Sequence, residues 1–178
     1  GVDRPETTGA DRPLVNGLLS PAAVKAGFLI CYAAAAIVAC CFIVLRGPIL
    51  LAVILPGLAG SYFYTAGKPA LKYRALGEVT VFLVMGPFLC AGLSLALSGS
   101  LSPLVMALSI PAGLHIALIL TANNLRDADG DRHAGIQTIV TAVGPASTKI
   151  LIGVEILLPY LLIIPPACVC LLYTSPSP

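Results

Sequence analysis

The chain has 178 residues, of which 58% are hydrophobic and 10% charged, with a formal net charge of +2. Soluble domains carry about 25% charged and about 45–50% apolar residues, so a water-facing globule is excluded and lipid must solvate much of the surface. The small charge, with no basic run interleaved with aromatics, excludes a nucleic-acid partner.

A spanning helix needs about 20 mostly apolar residues. In chain order, five segments meet that need, at about 22–45, 48–64, 77–97, 102–123 and 146–172. They predict an all-α fold, a polytopic transmembrane bundle. Turn residues punctuate it at Gly47-Pro48, Gly67-Lys68-Pro69, Ser98-Gly99-Ser100 and Gly144-Pro145. Pro56 and Pro165-Pro166 fall inside spans and predict kinks, which membrane bundles tolerate. No repeat or separate soluble domain interrupts residues 1–178, which read as a single membrane domain. Its first residues resemble mid-loop sequence and its last five lack any helix or cap signal. Both ends are therefore expected to be cut, with the final residues foreign to the native chain. Cys31, Cys40, Cys41, Cys90, Cys168 and Cys170 all sit in apolar runs, where thiols act as small hydrophobes.

Charge falls unevenly along this string of spans. With five alternating crossings, the N-terminal stretch and the loops 65–76 and 124–145 share one side. Of the ten Lys and Arg residues only Arg46 lies on the other side, and of the eight acidic residues seven lie on or beside the first side, with Glu155 within the last span. The positive-inside bias predicts that the charged side is cytoplasmic.

Three polar islands follow from that placement. Residues 123–132 gather Asp127, Asp129 and Asp131 directly after an apolar run. Asp127 and Asp131, four apart, share a helix face if the preceding helix continues, and Asn123 and Asn124 join that face. Carboxylates so placed hold Mg²⁺ through oxygen, with waters and substrate phosphates completing its shell. A solvated acidic loop paired to Arg126 and Arg132 explains the same residues. The second island, Tyr64 to Glu78, brings Lys68, Lys72 and Arg74 to the same side. These cations suit a diphosphate leaving group, or serve only as a positive-inside anchor. The third holds Asp3, Arg4, Asp11, Arg12 and Asn16, and reads equally as a solvated connector. Within the spans, His115 and Glu155 are rare intramembrane ionisable groups. His115 is expected to be a hydrogen-bonded core histidine, and Glu155 to snorkel or stay protonated.

These residues resemble the motifs of the UbiA superfamily of intramembrane aromatic prenyltransferases, closest to its 1,4-dihydroxy-2-naphthoate polyprenyltransferase (menaquinone and vitamin K) branch. The run from Asn124 through Arg126, Asp127, Asp131 and Gly135 to Thr138 is similar to the second aspartate motif, NxRDxxxDxxxGxxT. Lys72-Tyr-Arg-Ala-Leu-Gly77-Glu78 is similar to KYxxLG[DE], and Tyr64 with Lys68 to YxxxK. Gly1-Val2-Asp3 resembles the tail of the first motif, NDxxDxxxGxD, whose leading residues would precede Gly1. The likeness extends to about Tyr160.

The resemblance implies a fold of about nine helices, of which five are present, and a piece that is inactive by itself. It also implies Mg²⁺-dependent transfer of a polyprenyl group from a polyprenyl diphosphate to an aromatic acceptor. Dihydroxynaphthoate or a related naphthoquinone precursor is favoured, with homogentisate, 4-hydroxybenzoate, haem and chlorophyllide open. Asp127 and Asp131 would hold Mg²⁺, with Lys72 as the third catalytic residue. Asn124, Arg126, Lys68, Tyr64 and Asp3 would bind the diphosphate. The competing class is a transporter or channel with a charged vestibule, which predicts broken helices around mid-span ionisable residues. A soluble-type isoprenyl diphosphate synthase also uses paired aspartates, but the five spans argue against it.

Overall fold

The computed structural model describes Leu14 and residues 16–65, 67–68 and 70–174, with side chains placed as far as Cys168. The described residues are helices and turns without a strand, and five helical segments are long and apolar enough to cross a membrane: Pro21–Arg46, Pro48–Thr65, Gly77–Ser98, Pro103–Arg126 and Pro145–Cys168. Two compact units divide the chain, Gly1–Gly47 and Pro48–Pro178.

In the first unit the described helix is α1, Pro21–Arg46. Ser20 caps it by accepting from the Ala23 amide at 3.1 Å, and Pro21 fits the first turn because no partner awaits its missing N–H. Gly47 ends it at φ 91, a backbone region that costs an L side chain strain. None of its residues is buried within the unit.

The second unit begins with a 3-10 turn, Pro48–Leu50, running into α2, Leu51–Thr65. A second 3-10 turn, Leu71–Tyr73, leads to α3, Gly77–Leu83, which passes through a π-helical turn, Val84–Phe88, into α4, Leu89–Ser98. Then come α5, Pro103–Arg126, the short α6, Ala128–His133, and α7, Ile139–Val143, and last α8, Pro145–Thr174. The central member is α5, which packs against α3, the π turn, α4, α7 and, most extensively, α8.

Its interfaces are built from small residues. Ala91, Ala117, Ser94, Ser109, Thr121 and Thr148 are buried, while Leu97, Ile119, Leu157 and Tyr160 face outward. That inversion follows from the solvent: lipid is as apolar as leucine, so helices associate by close backbone approach rather than by hiding large side chains. The closest approach is at Gly86 and Gly113. A Cβ on Gly86 would stand 2.8 Å from the Ser109 carbonyl oxygen, and one on Gly113 would stand 2.9 Å from the Phe82 carbonyl oxygen. The π turn lies at this crossing. Pro87 within it has no N–H to give, and the Leu89 amide reaches back five residues to the Val84 carbonyl.

Of the two expectations for Glu155, to snorkel or to stay protonated, snorkelling does not fit the structure. Glu155 is 4% exposed and accepts a hydrogen bond from Thr121 Oγ1 at 3.1 Å. It sits ten residues into α8, facing α5, too far from the helix end for its short stem to reach water. His115 behaves as a bonded core group, with Nδ1 2.9 Å from the Pro111 carbonyl and its ring edge-on to Tyr160 at 5.8 Å. A carbonyl only accepts, so Nδ1 is the protonated nitrogen.

The Gly113 crossing yields a stability test. Gly113→Ala should lower the melting temperature of the detergent-extracted protein, by overpacking worth about 1–3 kcal/mol. Gly153→Ala, in α8 where a Cβ meets nothing within 4 Å, should leave it unchanged or raise it.

Candidate active site at the polar rim

Two connections meet at one end of the α2–α8 bundle. The first, between α2 and α3, contains the 3-10 turn with Lys72 and Tyr73. The second, between α5 and α8, contains α6 and α7. They join through the backbone: the Ala75 amide donates to the Gln137 carbonyl at 2.9 Å, within a parallel bridge between Arg74 and Gln137. Ala75 adopts φ 56 to make that turn, and on the other side Gly135 turns at φ 68. Thr138 then caps α7 through a reciprocal pair with Thr141, at 3.3 and 2.9 Å.

The carboxylates lie on the second connection. Asp127 separates α5 from α6 at φ −93, ψ 4, so the helix bends there without stopping. Its amide still bonds the Asn123 carbonyl, and the Asp131 amide bonds the Asp127 carbonyl, both at 3.0 Å. Asp127 and Asp131 are thus one turn apart. Asp131 lies within electrostatic reach of both Asp127 and Lys72, on the two connections that the Ala75–Gln137 bond joins. Asn124, at the end of α5, donates from Nδ2 to Glu78 Oε1 at 2.7 Å. Tyr64, half-buried at the end of α2, lies within electrostatic reach of Glu78 and Tyr73. Beside it a groove of about 240 Å³ runs between α2 and α3, lined by Gly60, Ser61, Tyr64, Thr80, Val81, Val84 and Met85.

Other expected contributors stand apart. Arg126 forks onto the neighbouring carboxylate, Nε to Asp127 Oδ1 at 2.9 Å and Nη2 to Oδ2 at 3.2 Å. Asp129 pairs with Arg132 at 3.5 Å. These are the exposed pairs that a solvated acidic loop would make. Lys68 is exposed, and its carbonyl accepts from Arg74 at 3.3 Å. Lys72 Nζ lies 5.1 Å from the centroid of Tyr73. Asp3, with Arg4, Asp11 and Arg12, lies outside the described residues. Sequence reasoning missed the Glu78–Asn124 bond; a carboxylate opening an apolar helix was its one signal.

The donor set suits Mg²⁺. Among the described residues no three His, Cys, Asp or Glu side chains gather around one point, so the protein offers a carboxylate pair, and a Mg²⁺ ion that keeps its waters and binds phosphate needs no more. Burial, then repulsion by Asp127, push the Asp131 carboxyl above the ordinary aspartate value, with Lys72 opposing them. The folded protein therefore holds this proton more tightly than the unfolded chain, and the group subtracts stability as pH rises through its folded pKa. With divalent cations chelated, Asp131→Asn should melt above the wild type at pH 7. The gap should close as pH falls below the carboxylate range.

Comparison with known proteins agrees with the motifs. The model of the UbiA prenyltransferase family matches residues 2–177. The chain is 33% identical over 165 residues to the human UbiA prenyltransferase domain-containing protein 1, covering 90% of this chain and 48% of that protein. The giant panda (Ailuropoda melanoleuca) protein of that name is 32% identical over 166 residues, with 91% and 48% covered. The Drosophila melanogaster homolog is 32% identical over 172 residues, with 90% and 45% covered. The chain thus spans about half the length of these relatives. No solved structure matches. With five helices fit to cross a bilayer, a small-residue interior and an aspartate–lysine rim, the chain is an integral membrane protein that belongs to the UbiA prenyltransferase family.

Proposed function

We propose that the protein is a Mg²⁺-dependent prenyltransferase. It moves a polyprenyl group from its diphosphate to an aromatic acceptor of the 1,4-dihydroxy-2-naphthoate or naphthoquinone-precursor type. The supporting observation is the convergence of Asp127, Asp131 and Lys72 on one rim, fixed by the backbone bond between Ala75 and Gln137.

In this reading Asp127 and Asp131 hold the cation, and Lys72 binds the oxygens of the leaving diphosphate. When bound, Mg²⁺ supplies positive charge that offsets the charge building on the diphosphate as the allylic C–O bond breaks. Arg126 reaches phosphate only by leaving Asp127, an exchange between two exposed partners that costs little. Lys68 widens the cationic field. Asp3 is assigned to diphosphate binding by motif resemblance alone, and lies outside the described residues. Tyr64 marks the boundary between charge and hydrocarbon, and the Val81, Val84 and Met85 wall of the groove beside it suits isoprene units and keeps water from an allylic cation. The electron-rich ring attacks that cation. The positive-inside bias puts this rim on the cytoplasmic side.

A charged vestibule of a transporter has less support. Helix α8 runs unbroken past Glu155, and the carboxyl is sealed between helices rather than lining a channel.

The test is made in the membrane-embedded protein. Asp127→Ala and Asp131→Ala should each abolish Mg²⁺-dependent prenyl transfer, and EDTA should do the same to the wild type, while membrane insertion persists. Turnover that survives both substitutions would overturn the proposal.

A further inference from the structure

Resting on that reading of the rim, we propose that Glu78 is a positioning residue, which locks the Asn124 amide so that its side-chain carbonyl is presented to the cation–diphosphate site.

Glu78 is a buried carboxylate, 5% exposed, in the first turn of α3. It makes no ion pair with a described cation, and the bond it receives comes from Asn124 Nδ2 at 2.7 Å. That length is at the short end for N–H to oxygen, as expected where the acceptor is charged. A carboxylate has lone pairs and no hydrogen to give. The amide nitrogen must therefore face Glu78, and Oδ1, on the opposite branch of the same planar group, is turned away from it.

The base of Asn124 is held as well. Thr121 lies one turn earlier on the same face of α5 and is fully buried. Its hydroxyl donates to Glu155 Oε1 on α8. The last turn of α5 is thus gripped from α3 and from α8, immediately before Asp127. Asn124 stands three residues ahead of Asp127, a spacing that shares a helix face, and Asp131 follows one turn after Asp127 beyond the bend. Its freed carbonyl is an uncharged oxygen, which ligates a hard cation without adding to the repulsion between the two aspartates. Outer groups that orient a ligand in this way change metal affinity by about 10–100-fold when removed.

The test needs no turnover. Binding of Mn²⁺ together with inorganic pyrophosphate is followed by the electron paramagnetic resonance of free Mn²⁺, beside thermal melting of each variant. Glu78→Ala should weaken Mn²⁺ binding by about tenfold or more, and Glu78→Gln, whose carbonyl still accepts from Asn124, should restore most of it. Glu78→Ala combined with Asn124→Ala should bind no worse than Asn124→Ala alone, because the two act as a unit. Equal Mn²⁺ affinity in Glu78→Ala and wild type, or additive losses in the double variant, overturns the proposal, even if the melting temperature falls. Asp127→Ala separates the two levels. If it abolishes binding while Glu78→Ala does not weaken it, positioning fails alone; if it leaves binding intact, the rim reading fails and the positioning role with it.

Discussion

In hydrocarbon every backbone amide and carbonyl needs a partner inside the protein, which leaves helices as the default and makes irregular backbone costly. The second unit resolves this by confining its longest irregular stretches to one end and pairing them with each other. The Ala75 amide meets the Gln137 carbonyl, and the Leu76 and Arg74 amides turn back on the Leu71 carbonyl. Lys72 is carried by one of these connections and Asp131 by the other. Their proximity is thus a by-product of satisfying peptide groups, and the candidate site is set on a frame that the bilayer itself demands.

The same constraint explains the polar interior. Ser109, Thr121 and Thr148 are fully buried; the Ser109 and Thr148 hydroxyls each donate to a carbonyl three or four residues back in their own helix, and the single Thr121 proton has both the Ala117 carbonyl and Glu155 within reach. Such side chains are small enough to let helices approach and carry their own hydrogen-bond partner with them. Glu155 is the exception, since its Oε2 is buried with no partner among the described residues. A buried polar atom left unpaired costs about 1–3 kcal/mol, a burden the extensive α5–α8 interface absorbs.

The spans were legible because about 20 apolar residues in a row have one economical fate in lipid. The rim residues were legible as islands, since Asp127, Asp131 and Lys72 interrupt apolar sequence and carry no packing value there. Their partners were not. That Arg126 would fold onto Asp127, or Asp129 onto Arg132, depends on side-chain rotamers at a helix bend that no periodicity encodes. Glu78 and Asn124 are 46 positions apart, and only the packing of α3 on α5 reveals them as neighbours. For Glu155 the sequence left snorkelling and a retained proton both open, because its place in α8 was visible and the Thr121 hydroxyl facing it was not.

The π-helical turn at Val84–Phe88 has a consequence for register. One surplus residue in a helix of 3.6 residues per turn rotates everything beyond it by about 100°. The π turn takes up that surplus locally, so the face of α3 that buries Glu78 and the face of α4 that buries Ala91, Ser94 and Leu95 keep their orientations. Loss of a single residue between Val84 and Phe88 would let the helix close into regular α turns with both faces still in place, whereas regularising the turn with its residue kept would swing one face toward the acyl chains. Two faces with different duties share one rod because the π turn holds the surplus residue.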